Sequence, residues 1–124
     1  PQSPQMYSWG TGHSGELGHA QYGPDGVCPK PVVVPGLAGE TIVQVAATDG
    51  ASGAVTSDGV LYTWGIRYKL GLGGTGAADE REAVRVPTRV KSFAGLRITM
   101  VAFGEYHCGC VSICGRAWLW GKSE

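Results

Sequence analysis

The chain has 124 residues, 43% of them hydrophobic and 16% charged, which is the composition of a folded protein rather than a disordered one. Ten basic residues balance ten acidic residues, so bulk electrostatic attraction gives no reason to expect a nucleic-acid partner. No apolar run approaches the roughly 18 residues of a membrane-spanning helix, so no membrane partner is expected either.

The start of the chain has neither an initiator methionine nor the charged and apolar regions of a signal peptide. We therefore expect a processed chain or a piece of a longer one. Four cysteines are too few to define a secreted disulfide scaffold, so an intracellular location, cytoplasmic or nuclear, is expected. The 21 glycines follow no collagen period and separate apolar runs, which indicates tight turns between many short strands.

Apolar alternation, β-branched residues and turn sequences predict short strands along the whole chain. In chain order these are Met6 to Trp9, Pro31 to Val34, Val43 to Thr48, Ala54 to Thr56, Val60 to Trp64, Val86 to Lys91, Thr99 to Phe103, Gly109 to Ile113 and Ala117 to Trp120. Turns at Asp49-Gly50 and Ser57-Asp58-Gly59 join three of them into an antiparallel meander. Pro87 places the fourth strand of that group at a sheet edge, because proline cannot donate to a ladder on both sides.

A repeat organises these strands. The segment from Val45 to Gly65 matches the segment from Val101 to Gly121 at a constant spacing of 56 residues, without a gap. The ending of both copies also appears near the start, as Tyr7-Ser8-Trp9-Gly10. Repeats of this length are stacked supersecondary units, each of which needs its neighbours to bury an apolar face. The chain is therefore predicted to hold one whole four-stranded antiparallel blade and two incomplete blades.

Two segments resemble the repeat family named after the regulator of chromosome condensation (RCC1). Residues Val101 to Val111 are similar to the first half of the family pattern, V-A-x-G-x-x-H-S-x-A-L, and Tyr7 to Gly18 are similar to its second half. The resemblance implies an all-β, seven-bladed β-propeller, of which about two to three blades' worth is present. Residues 1–124 would be one partial propeller with units at about 6–60 and 61–116, and a third starting at 117–124.

The first copy departs from the family pattern. Thr48 and Ala51 stand where the pattern has glycine and histidine. The segment from Gly65 to Gly71 is two residues shorter than its counterpart from Gly10 to Gly18, and the loop that follows it is longer. These departures weaken the transfer of any one member's function.

Two motifs suggest ligand sites, and each has a structural alternative. Gly71 to Gly76 match the dinucleotide fingerprint G-x-G-x-x-G, but they follow a hairpin rather than lead into a helix. The residues His107, Cys108, Cys110 and Cys114 are zinc-ligand types. Because the aligned Ser52 and Ala54 cannot bind metal, we expect small buried cysteines, a buried hydrogen-bonding histidine, and neither a cofactor nor a metal.

The tryptophans Trp9, Trp64 and Trp120 recur in register, so we expect them to pack between blades. No residues form a recognisable catalytic set, so an enzyme is not expected. A charged cluster in the long loop is either a solvated tip or the contact with a protein partner. It consists of Asp79, Glu80, Arg81 and Glu82.

The sequence therefore favours a scaffold or interaction module whose loops dock a protein partner. The alternative that the resemblance implies is guanine-nucleotide exchange on a small Ran-like GTPase, although no residues for exchange can be assigned. We expect the missing blades to come from a longer parent chain, from other copies or from another subunit, because an isolated set leaves apolar faces exposed.

Overall fold

The computed structural model of the protein describes residues 5–20, 25–37, 39–71, 83–93, 95–105 and 107–121. Within these ranges nine strands are found: β1 (Tyr7–Thr11), β2 (Val27–Val33), β3 (Ile42–Thr48), β4 (Ala51–Thr56), β5 (Leu61–Ile66), β6 (Ala83–Arg89), β7 (Ile98–Phe103), β8 (His107–Ser112) and β9 (Ala117–Gly121). Three short 3-10 turns lie at Pro35–Leu37, Arg67–Lys69 and Lys91–Phe93. This part of the chain contains no α-helix, and no helix in it could cross a membrane.

The strands form three antiparallel sheets that follow one another along the chain. The first sheet contains β1 and β2, the second has the order β3-β4-β5-β6, and the third has the order β7-β8-β9. The prediction of an all-β protein with one complete four-stranded sheet and two incomplete ones is confirmed.

Strand β4 begins three residues earlier than predicted, at Ala51 instead of Ala54. Its first residues, Ala51-Ser52-Gly53, have little intrinsic preference for a strand. They are extended because β3 and β5 pair with them from both sides. Strand β6 likewise begins at Ala83 rather than Val86, and Lys91 belongs to the 3-10 turn that follows it.

The proline in β6 lies on the edge of the sheet, as predicted, and within a bulge. Thr63 pairs with Thr88 and Gly65 pairs with Val84, so three residues of β6 lie opposite one residue of β5. The same irregularity occurs in β2, where Ser8 pairs with Val32 and Gly10 pairs with Cys28. A bulge frees proline from the donor role that a regular ladder demands, which explains why both edge strands tolerate it.

The core lies between successive sheets. Between the second and third sheets it contains Val55, Leu61, Val90, Ile98, Val101 and Cys110. Between the first and second sheets it contains Val34, Leu37, Ala54 and Trp64. Each sheet therefore buries its apolar face only where a neighbour is present, as the repeat predicted.

Two of the 3-10 turns, Pro35–Leu37 and Lys91–Phe93, connect one sheet to the next. Each packs on aromatic residues in the third strand of the sheet that follows it. The Phe93 ring lies 5.2 Å from Trp118 and 5.9 Å from Trp120, measured between ring centroids. In the same manner Leu37 packs in one cluster with Trp64, with the half-buried Tyr62 against it. Since Leu37 and Phe93 are 56 residues apart, the repeat specifies the connection as well as the strands.

Two glycines at equivalent positions of the repeat have similar backbone angles but different surroundings. Gly10 and Gly65 each follow a repeat tryptophan and have φ values of +107° and +119°. A Cβ on Gly65 would collide with the carbonyl of Gly50, whereas a Cβ on Gly10 would meet nothing within 4 Å. We expect Gly10→Ala to lower the free energy of unfolding by about 1–3 kcal/mol through backbone strain alone.

For Gly65→Ala we expect a loss about 1–3 kcal/mol larger, because overpacking is added to the same strain. Urea denaturation of both variants and the parent measures the difference. Equal losses would show that the close approach of Gly65 to Gly50 does not constrain the fold.

Candidate functional site

The charged cluster predicted to contact a partner, Asp79, Glu80, Arg81 and Glu82, lies outside the described residues, so its role stays a prediction. Most of the dinucleotide-like motif also lies outside them. Its first residue, Gly71, has a φ of +71° and packs against an indole, since a Cβ there would lie 2.9 Å from Cε2 of Trp120. The one described residue of the motif therefore has a packing role.

A single backbone carbonyl joins the first sheet to the second. The indole Nε1 of Trp64 donates to the carbonyl oxygen of Glu16 at 2.9 Å, and the hydroxyl of Ser52 donates to the same oxygen at 2.7 Å. Trp64 is almost completely buried, and so is Leu17, the residue after Glu16. One acceptor with two donors fixes the position of the preceding segment on the second sheet.

The second and third sheets are joined in the same way by different atoms. Trp120 Nε1 donates to the carbonyl oxygen of Lys69 at 3.0 Å, and the thiol of Cys108 donates to that oxygen at 2.9 Å. Glu16 lies seven residues after Trp9, whereas Lys69 lies only five residues after Trp64. The shortened segment therefore still brings a carbonyl to the equivalent place. We call each of these arrangements a carbonyl lock.

Gln44 makes a second connection between the second and third sheets. Its side-chain oxygen accepts from the backbone N–H of Val101 at 2.8 Å, and its Nε2 donates to the carbonyl oxygen of Val101 at 2.9 Å. The amide thus acts like a strand residue pairing with β7. The sequence does not predict this contact, since the repeat places Met100 at the equivalent position and gives no sign of an amide.

The four cysteines differ in burial and lie apart from other side chains of metal-ligand type. Among the residues that the structure describes, no three histidine, cysteine, aspartate or glutamate side chains lie close enough to hold a metal ion. Cys108 and Cys110 are buried, whereas Cys114 is exposed. Burial raises the pKa of the Cys108 thiol to about 12, with Lys69 opposing the shift, and raises that of Cys110 to about 11. At neutral pH Cys108 is therefore a protonated donor in the carbonyl lock.

Two residues that the sequence predicts to be buried, His107 and Trp9, are exposed, because no neighbouring sheet covers them among the described residues. His107 was expected to be buried, but it is exposed. The equivalent Ala51 is fully buried in a cluster against which Phe103 of the third sheet packs, and the described residues place no sheet over His107. Trp9 is likewise 60% exposed, although the equivalent Trp64 is completely buried.

Among the described residues, one open cavity lies beside the incomplete first sheet and another lies on the complete second sheet. The larger, about 500 Å³, lies between β1 and β3 and has residues such as Trp9, Leu17 and Val45 in its wall. The smaller, about 280 Å³, lies on β6 and on the turn that follows it.

The carbonyl lock predicts different results for two substitutions of Cys108. Cys108→Ser retains a donor at the same place, so its free energy of unfolding should stay within about 1 kcal/mol of the parent. Cys108→Ala removes the donor and should lose about 1–2 kcal/mol, since Trp120 still satisfies the carbonyl. Urea denaturation distinguishes the two, and equal stability of the alanine and serine variants would contradict the hydrogen bond.

Thiol modification at pH 8 should follow burial. We expect iodoacetamide to alkylate Cys114 in the native protein and to spare Cys108 and Cys110, because a raised pKa keeps those thiols protonated. Mass spectrometry of digested protein gives the modified positions, and the same reaction in urea, where all cysteines should react, is the control. Alkylation of native Cys108 at the rate of Cys114 would refute the buried donor.

The repeats of this chain match those of a known protein family. Residues 5–55 and 58–111 match the family described as regulator of chromosome condensation (RCC1) repeat. The chain is 34% identical to human E3 ubiquitin-protein ligase HERC2 over 121 residues, which covers 96% of this chain and 2% of that protein. It is 38% identical to the ultraviolet-B receptor UVR8 of Arabidopsis thaliana over 119 residues, covering 94% of this chain and 25% of the receptor.

Solved structures show the same fold. Human WBSCR16 superposes with a TM-score of 0.75 at 30% identity, covering 93% of this chain and 28% of that one. Prp20p of Saccharomyces cerevisiae superposes with a TM-score of 0.77 at 25% identity, again over 93% of this chain and 28% of that one. The chain thus spans about a quarter or less of the length of these proteins. With the repeats, the sheets and these matches in agreement, the chain belongs to the regulator of chromosome condensation (RCC1) repeat family.

Proposed function

We propose that the protein is an intracellular interaction module that holds a charged loop for a protein partner. The supporting observation is the way that the two ends of this loop are held. Leu70 and Val84 are buried in one cluster with Ala51, and the hydroxyl of Thr63 donates to the carbonyl oxygen of Leu70 at 2.8 Å. Asp79, Glu80, Arg81 and Glu82 lie in the sequence between these two fixed points.

A loop held at both ends by a rigid sheet loses less entropy on binding than a free segment does. The carbonyl locks supply that rigidity, because they connect the second sheet to its neighbours on both sides. The role requires no catalytic group. An interaction role also agrees with the size of HERC2, of which this chain covers 2%, since the remaining part of that protein can supply other activities.

The alternative is nucleotide exchange on a small GTPase. It is supported by the likeness to Prp20p, a protein with binding properties toward Gsp1p and histones, and by the complex of Kap60 with the same yeast protein. These partners are proteins, which agrees with an interaction role in general. We favour the scaffold because the residues of this chain provide no assignable exchange element.

Partner capture tests the loop. The variant with Asp79→Asn, Glu80→Gln and Glu82→Gln removes three negative charges, and crosslinking in lysate followed by mass spectrometry compares its partners with those of the parent. We expect partners captured by the parent to fall by about tenfold in the variant. Asp25→Asn with Asp58→Asn and Glu105→Gln, at exposed positions elsewhere, is the charge-matched control. An unchanged partner set would overturn the loop's role.

Release of labelled GDP from a Ran-like GTPase distinguishes the alternative. The scaffold proposal predicts the same release rate with and without the protein. Acceleration of release by the parent chain would replace the scaffold with the exchange function.

A further inference from the structure

One end of the third sheet carries apolar and basic side chains that the second sheet lacks. At positions 56 residues apart the second sheet has Glu40, Thr41, Ser57, Asp58 and Val60, where the third sheet has Leu96, Arg97, Ile113, Cys114 and Arg116. We call these five residues of the third sheet the turn patch. A mainly polar surface with two carboxylates in one unit is therefore apolar and basic in the next.

The residues of the turn patch lie close together. The backbone N–H of Ile113 donates to the carbonyl oxygen of Arg97 at 2.8 Å, so the turn between β8 and β9 lies beside the segment that leads into β7. Arg116 closes the same turn, since its carbonyl oxygen accepts from the N–H of Ser112 at 2.9 Å. Its guanidinium lies 5.6 Å from the centre of the Trp118 ring. The apolar and basic groups therefore share one end of a single sheet.

The apolar side chains of the turn patch are exposed. Ile113 is 65% exposed and Leu96 is 37% exposed. The repeat indicates that a further sheet alongside would not cover the turn, because the equivalent Ser57 and Asp58 are exposed although the third sheet packs against the second. Exposed apolar side chains that are grouped and bordered by charged ones are typical of an interaction surface.

The charges around the turn patch favour an acidic ligand. Arg97 uses one guanidinium N–H to donate to the carbonyl oxygen of Ser57 at 3.1 Å, and a guanidinium has five such donors. Among the described residues, the carboxylates at this end of the sheets, Glu40 and Asp58, belong to the second sheet and not to the third. Arg97 and Arg116 can therefore pair with carboxylate oxygens of a ligand that lies on the third sheet.

The charged segments outside the described residues join the sheets at the opposite end. Ile66 pairs with Ala83 where the long loop leaves and re-enters the second sheet, and Gly121 pairs with His107 at the corresponding end of the third. The turn patch adjoins the β4–β5 turn instead, since the N–H of Ile98 donates to the carbonyl oxygen of Gly59 at 2.9 Å. The turn patch therefore lies apart from the points where those segments join the sheets.

We propose that the turn patch binds an extended segment of a partner protein in which a large apolar side chain stands between carboxylates. The apolar side chain lies on Leu96 and Ile113, and the carboxylates accept hydrogen bonds from Arg97 and Arg116. The carboxylate of Asp58 keeps the segment on the third sheet by repulsion. This inference rests on the proposed function only in that the ligand is a protein, because the turn patch and the charged loop belong to opposite ends of the sheets.

Three labelled peptides of one length test the proposal by fluorescence anisotropy with the full chain. The first has leucine between two pairs of glutamates, the second has glutamine in place of each glutamate, and the third has serine in place of the leucine. We expect the first peptide to bind at least about fivefold more tightly than either of the others, and to bind more weakly when the salt concentration is raised. Equal affinities for the three peptides, or no binding of the first, would overturn the proposal.

Substitutions taken from the repeat itself locate the site. Ile113→Ser and Arg116→Val each give the third sheet the residue of the second at the same position, so the fold should be retained, which urea denaturation checks. Each should weaken binding of the first peptide by about threefold to tenfold. The matched controls Val86→Ser and Lys30→Val, at exposed positions of the outer strands, should leave the affinity unchanged. Parental affinity in either of the first two variants would overturn the proposed contacts.

Cys114 reports binding from within the turn patch. Because its thiol is exposed and it follows Ile113 directly, bound peptide should slow its alkylation by iodoacetamide at least about threefold. An unchanged rate at a peptide concentration that saturates the anisotropy would show that the peptide binds elsewhere. The variant of the charged loop should bind the peptide as the parent does, so failure of the loop's role and failure of the turn patch are distinguishable.

Discussion

The carbonyl lock is the interaction on which the arrangement of the sheets depends. One backbone oxygen accepts from a tryptophan indole and from a small side-chain donor, Ser52 in one case and Cys108 in the other. The donors of each lock are buried or partly buried. In such surroundings a carbonyl oxygen without a hydrogen bond would cost about 1–3 kcal/mol. The lock therefore fixes which segment lies against which sheet, while the apolar clusters supply the larger but less directional stabilisation.

The same lock accounts for the different environments of equivalent residues. Trp64 is completely buried because the segment around Glu16 and Leu17 covers it, whereas Trp9 is 60% exposed in the first sheet. A similar local sequence therefore gives a core residue in one unit and a surface residue in another. In a repeat protein burial belongs to the interface between units rather than to the unit itself.

Differences between equivalent positions give each unit its own contacts with its neighbours. Gln44 bonds to the backbone of Val101, but Met100 at the next equivalent position offers no such amide. Gly36 leaves room for the ring of Pro87, whereas serine, Ser92, stands at the next equivalent position. The repeat thus keeps the strands and turns of each sheet, while single substitutions at the borders change the contacts between one sheet and the next.

The sequence alone determined the family, the three sheets and the burial of Cys108 and Cys110, because strand alternation, turns and a constant 56-residue spacing are local or periodic signals. It did not determine the start of β4, the exposure of His107, or the hydrogen bonds between the side-chain amide of Gln44 and the backbone of Val101. Each of these depends on what another segment places alongside the residue, and intrinsic propensity carries no record of that neighbour. Only the tertiary structure decided them, since pairing and burial are properties of two surfaces brought together.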